Sequence, residues 1–197
     1  MKIVFATGNN GKLKEVKNIF SSIDVEIISP TELGEMPEII EDGDTFEANA
    51  KIKAEKIYEM YKLPTIGDDS GLEVKQLNDE PGIYSARYAG ENCSYDDNNN
   101  KLINELKSYP EPHAAQFVCC AVYFDGENYL SNKGLLTGKI IKTTRGDKGF
   151  GYDPIFVPDG YEQTLGELEM NEKNSISHRG NAFNALKNTL LEKGLIK

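Results

Sequence analysis

The chain has 197 residues, with 32 acidic against 22 basic side chains and a net charge of −10. That length suits one large domain or two close lobes and is ample for a core. The negative field disfavours non-specific contact with nucleic acid and with anionic membranes, so neither is expected as a partner; a small anionic substrate would need lysines and a metal gathered locally. Cys93, Cys119 and Cys120 have the spacing of neither a zinc site nor a disulfide framework. No apolar run approaches membrane-spanning length, and Met1–Ala6 is too short for the apolar region of a signal peptide, so a cytoplasmic location is expected.

Lys2–Ala6 reads as a buried strand. Thr7-Gly8-Asn9-Asn10-Gly11-Lys12 follows, and then an amphipathic helix with Leu13, Val16, Ile19 and Phe20 on one face. Strand, glycine-rich turn and helix is an arrangement that aims backbone N–H groups and a positive helix end at a phosphate. The spacing is neither a Walker loop nor a dinucleotide fingerprint, and Gly8 and Gly11 could equally be simple turn residues. Asp24–Ser29 alternates as a second strand. Glu41-Asp42-Gly43-Asp44 is an acidic turn, and Thr45 can cap a helix running to about Tyr61. Asn49 and Lys53, four apart, share a face of that helix.

Gly67-Asp68-Asp69-Ser70-Gly71 follows a short apolar run, Leu63–Ile66, read as a strand that stops at the two carboxylates. Carboxylates at a strand end can hold a hard cation or take a proton from water; an acidic turn is the plain alternative. Leu72–Lys75 reads as a separate strand, Asp96–Leu106 as a helix, and Ala115–Phe124 with Tyr129–Leu130 as a hairpin around Asp125-Gly126. A further strand is expected over 135–142. In Gly149-Phe150-Gly151-Tyr152-Asp153-Pro154, an aromatic between two glycines can keep its face clear for stacking, or it can be tucked into the core. The last helix is expected to start at Asn174–Ser177, with Ser177 as cap. His178 and Arg179 then lie in its first turn, where cations oppose the macrodipole unless an anionic or carbonyl-bearing partner meets them.

Together these stretches, with Gly43-x-Thr45-Phe46-x-x-Asn49-Ala50-x-x-Lys53-Ala54, Pro81-Gly82-Ile83-Tyr84-Ser85-Ala86-Arg87-Tyr88 and Ser177-His178-Arg179-Gly180, resemble the inosine triphosphatase-like family of pyrophosphatases acting on non-standard purine nucleoside triphosphates. Six motifs in order span nearly the whole chain. The resemblance implies an α/β fold with an elongated, bent mixed sheet flanked by helices. It also implies two lobes around a central cleft, residues 1–197 acting as one two-lobed domain, a homodimer and Mg²⁺. The implied reaction is hydrolysis of ITP, dITP or XTP to the monophosphate and pyrophosphate, which clears deaminated purines from the nucleotide pool.

Carried over residue by residue, the resemblance assigns Thr7, Gly8, Asn9, Asn10, Gly11 and Lys12 to the phosphates. Lys53 and Lys173 join them. Glu41 and Asp69 bind the metal, with Asp68 beside them, and Asp69 also activates water. Ser70 touches substrate. Phe150 stacks on the base, with Gly151, Tyr152 and Asp153 completing its pocket, while His178 and Arg179 read the 6-oxo edge. Ala48 departs from the pattern, standing where a glutamate is usual, which puts a metal role for that position in doubt. The competing expectations are a non-catalytic nucleotide-binding module of the same fold, and a phosphohydrolase that releases orthophosphate through an aspartyl intermediate. The intact Asp68-Asp69 pair speaks against the first, and the lack of an Asp-x-Asp pattern against the second.

Overall fold

A computed structural model describes residues 1–197. Six strands form one mixed sheet flanked by helices, in the order β2-β1-β3-β4-β5-β6. In chain order they are β1 (Lys2–Phe5), β2 (Glu26–Ile28), β3 (Thr65–Val74), β4 (His113–Phe124), β5 (Tyr129–Ile140) and β6 (Phe156–Pro158). The helices are α1 (Asn10–Phe20), α2 (Phe46–Tyr61), α3 (Tyr95–Leu106), α4 (Met170–Ile176) and α5 (His178–Glu192). No helix is long and apolar enough to cross a membrane.

The chain divides into two compact units, the first comprising Met1–Asp69, Cys119–Gly134 and Arg179–Lys197, the second Ser70–Val118 and Leu135–His178. In the first unit β1 runs parallel to both neighbours, with Ile3 opposite Ile27 and Phe5 opposite Ile66. Its core joins Ile3, Phe5, Val16, Phe20, Ile66 and Ala121 to Phe183, Leu186 and Leu190 of α5. Phe5 meets Phe183 edge to face, with centroids 5.4 Å apart, a geometry that suits the ring quadrupoles. In the second unit Leu72, Leu102, Leu106, Phe117, Ile140 and Phe156 build a separate core. There β6 pairs antiparallel with β5, Ile140 opposite Phe156.

The expected α2 is present, capped by Thr45, whose Oγ1 accepts the Ala48 N–H at 3.1 Å. Other expectations are corrected. The two short strands read on either side of the acidic stretch are one ten-residue strand, β3, so Asp68 and Asp69 lie inside it rather than at a strand end or in a turn. Gly67 makes this possible. A Cβ there would lie 2.2 Å from the Ala50 carbonyl oxygen, so only glycine lets the α2 backbone come this close to the strand. The strands read over 129–130 and 135–142 are likewise one, β5. Asn174–Ile176 belong to α4, and the last helix, α5, begins at His178 directly after Ser177, which is in extended conformation. The Arg145–Lys148 stretch is held by three contacts: Arg145 N–H donates to the Pro154 carbonyl, Lys148 N–H donates to that of Gly166, and Lys148 Nζ lies 2.6 Å from Glu169.

Candidate active site

In the first unit, α1, α2, β3 and the start of α5 deliver an alternating set of charges. Adjacent strand residues point to opposite faces, and Asp68 and Asp69 do so here. Asp68 is 1% exposed and its Oδ2 meets Lys12 Nζ at 2.9 Å and Arg179 Nε at 3.6 Å. Asp69 instead meets α2: its Oδ2 accepts from Asn49 Nδ2 at 3.2 Å, and its Oδ1 lies 3.3 Å from Lys53 Nζ. The same Lys53 ammonium lies 2.7 Å from Glu41 Oε2.

Electrostatics follows the geometry. Burial alone would push the Asp68 carboxyl up, but Lys12, Arg179 and Lys53 outweigh it and hold the pKa near 2, so this carboxylate is an anion at neutral pH. Asp69 goes the other way. Burial, aided by Glu41, raises it above the ordinary carboxylate value although Lys53 and the Asn49 hydrogen bond pull it down. A carboxylate raised in this way is a better proton acceptor near neutrality. Burial disfavours the charge on Lys53, but Asp69, Asp68 and Glu41 together keep it firmly protonated.

Asp68, Arg179 and Asn9 each meet a partner within the first unit. Asp68, expected beside the metal, is the counter-ion of Lys12 and Arg179 on the other face of β3. Arg179, expected at the base edge, donates from its NH1 to Glu15 at 2.6 Å and faces Asp68. Its place at the positive end of α5 is thereby explained by two carboxylates. In the phosphate stretch, Asn9 caps α1: its Oδ1 accepts the Gly11 and Lys12 N–H groups at 2.8 and 3.1 Å, and Thr7 Oγ1 accepts the Asn9 N–H. Gly8 and Asn10 are exposed. Ala48 is the third residue of α2, where a glutamate would complete a capping box. An acid at this position would fit helix capping.

The second unit holds the aromatic cluster. Asp153 is 3% exposed; its Oδ2 accepts the Phe150 N–H at 2.8 Å and the Lys173 ammonium at 2.7 Å. Lys173, expected at phosphate, thus lies beside the aromatic, its Nζ 4.7 Å from the Phe150 ring centre. Gly149 has φ +79°, and a Cβ on it would lie 2.1 Å from Asp153 Oδ2, so the turn that presents Phe150 requires glycine. Tyr152 donates to the Ser85 carbonyl at 2.9 Å, which makes it a support of the loop. His178 stacks on Phe117, ring centres 4.7 Å apart at 10°. Ser70 follows Asp69 on β3 and is half-buried. Sequence reasoning missed Glu15, Tyr95 and Asn99. Tyr95 lies 6.4 Å from the Phe150 ring, and Asn99 Nδ2 donates to the Gly151 carbonyl at 3.1 Å. Their four-residue spacing on α3 was the available signal.

The sheet with its flanking helices defines an α/β protein, with a buried carboxylate–lysine cluster in one unit and a glycine-framed aromatic in the other. The sequence model of the Ham1 family matches residues 3–189, and the chain belongs to that family. It is 46% identical over 194 residues to the dITP/XTP pyrophosphatase of Thermoanaerobacter pseudethanolicus, covering 98% of each chain. To that of Lactobacillus acidophilus it is 47% identical over 191 residues, covering 94% of this chain and 95% of the other. Among solved structures, the Staphylococcus aureus Ham1 protein matches with a TM-score of 0.89 and 42% identity over 98% of this chain and 100% of that one. A HAM1 protein from Coxiella burnetii matches with a TM-score of 0.90 and 37% identity over 98% and 99%.

Proposed function

We propose that the protein is a nucleoside triphosphate pyrophosphatase that hydrolyses ITP, dITP and XTP to the monophosphate and pyrophosphate, clearing deaminated purines from the nucleotide pool. The observation that carries the reading is the Glu41–Lys53–Asp69 arrangement, in a family whose curated relatives are named dITP/XTP pyrophosphatases.

Glu41 and Asp69 fit a hard divalent cation. Their oxygens already converge on one positive group, the Lys53 ammonium, and Mg²⁺ is commonly held by one or two carboxylates plus substrate phosphates. Glu41 and Asp69 would hold it, and when bound it supplies charge neutralisation at the phosphoryl oxygens. Lys12, Lys53 and the Thr7–Gly11 stretch bind and orient the triphosphate. Asp69 accepts the proton of the water that attacks the α-phosphorus. The bond from that phosphorus to its bridging oxygen breaks, and pyrophosphate leaves.

In the second unit Phe150 receives the purine face, while Asp153 and Lys173 fix the loop that presents it. His178 donates to O6 of the base. Adenine offers an amino group there, and an unmet buried donor costs roughly 1–3 kcal/mol. Residues 1–197 act as one two-lobed domain, in the cytoplasm, with a homodimer as the working state; light scattering on the purified protein checks the last point.

The deciding experiment gives the protein Mg²⁺ with ITP and, in parallel, ATP, and follows products by phosphorus NMR. Inosine monophosphate plus pyrophosphate, with ATP largely intact, is the expected result. Orthophosphate and the diphosphate would exclude attack at the α-phosphorus. D69N is expected to lower kcat by about 10²–10⁴-fold while ITP still binds.

A further inference from the structure

Asn49 is 2% exposed and both ends of its amide are engaged. Its Oδ1 accepts the Gly43 N–H at 2.9 Å, and its Nδ2 donates to Asp69 Oδ2 at 3.2 Å. The two partners fix which end is which. A backbone N–H can only donate and a carboxylate oxygen accepts, so oxygen must face Gly43 and nitrogen Asp69. Gly43 belongs to the turn that carries Glu41, two residues before it. The approach is close: a Cβ on Gly43 would lie 2.8 Å from Asn49 Oδ1 and 2.8 Å from the Ala48 Cβ. Lys53, one helical turn on, takes the other oxygen of Asp69 and also meets Glu41. One face of α2 therefore holds Asp69 by both oxygens and ties it to the Glu41 turn.

We infer that Asn49 is a positioning residue for the pyrophosphatase reaction: its amide orients the Asp69 carboxylate and locks it in register with the turn that carries Glu41. This rests on the function proposed above. Asn49 reaches no reacting atom; it acts through Asp69. With the amide held at both ends, Asp69 Oδ2 is tied to α2 and the carboxylate plane is set before substrate arrives. Hydrogen-bond partners behind such ligands typically contribute 10–100-fold to metal affinity or activity.

Two variants separate orientation from mere stitching of the turn. N49A loses both hydrogen bonds. N49D keeps an oxygen for the Gly43 N–H but sets a second oxygen, and no donor, against Asp69. With ITP and Mg²⁺, both variants are expected to lose about 10–100-fold in kcat with KM within about threefold of wild type. Mn²⁺ binding to the nucleotide-free protein, read by electron paramagnetic resonance, is expected to weaken about tenfold in N49A. Wild-type kcat in N49D would overturn the inference, since the turn contact alone would then suffice. Should N49D fail to fold, wild-type kcat and Mn²⁺ affinity in N49A, whose alanine is the best helix former, would overturn the inference. If wild-type protein proves inactive on ITP, the proposed reaction fails separately; Mn²⁺ affinity unchanged in N49A would then overturn the role of Asn49, and a tenfold loss would support it.

Discussion

Arg179 and Glu15, 164 residues apart in sequence, form a buried ion pair with NH1 2.6 Å from Oε2. The arginine also faces Asp68, so a cation in the first turn of α5 is balanced by carboxylates from α1 and β3. Both partners are almost fully removed from water, which makes the pair costly to break from one side. R179M is expected to lose about 3–5 kcal/mol of stability in urea denaturation. The double variant E15M/R179M should recover much of that loss, because it no longer strands the glutamate. Additive losses in that cycle would mean the two groups are uncoupled.

Gly67 is the point where α2 meets β3. G67A places a methyl 2.2 Å from a backbone oxygen that has no side-chain freedom to yield. A stability loss of at least about 1–3 kcal/mol is expected. Activity should fall as well, because α2 carries Asn49 and Lys53. Thermal unfolding and kcat on one preparation check both, and wild-type behaviour in each would contradict the close packing.

The Asp68 carboxyl has its pKa lowered from 3.8 to about 2 by its cation partners. A depressed folded-state value contributes stability that is complete above the unfolded value and is lost as pH falls through the folded one. The window is therefore between about pH 4 and pH 2, and the contribution is about 2 kcal/mol. Urea denaturation across that window should show wild type losing stability more steeply than D68N. Parallel curves would mean that Asp68 titrates normally.

Phe150 is held by its own backbone N–H on Asp153 and by Lys173 beside the ring. Stacking a base on an aromatic is worth roughly 1–3 kcal/mol. F150A should therefore raise KM for ITP by roughly 5- to 150-fold with a small effect on kcat. A change confined to kcat would place the ring elsewhere than on the base.

Much of this was legible along the chain. The strand before Thr7, the capped α2, the α3 helix and the hairpin at Asp125 follow from local periodicity and capping chemistry, which act over a few residues. Glycines flanking Phe150 likewise announced a special turn. The acidic stretch was harder, because Asp-Asp-Ser-Gly is turn chemistry by composition. It becomes strand only because Gly67 admits α2 and because Lys12 and Arg179 neutralise Asp68.

What the sequence by itself determined is the set of groups: which carboxylates, lysines, glycines and aromatics are present, and on which elements most of them ride. Tertiary structure alone decided the pairings. The strand period of two sends Asp68 to Lys12 and Arg179 and Asp69 to Asn49 and Lys53. Burial then requires each charge to find a partner, and those partners lie as much as 164 residues away, as with Glu15 and Arg179. Local pattern carries no information at that range, because desolvation acts on what is near in space and not on what is near in the chain.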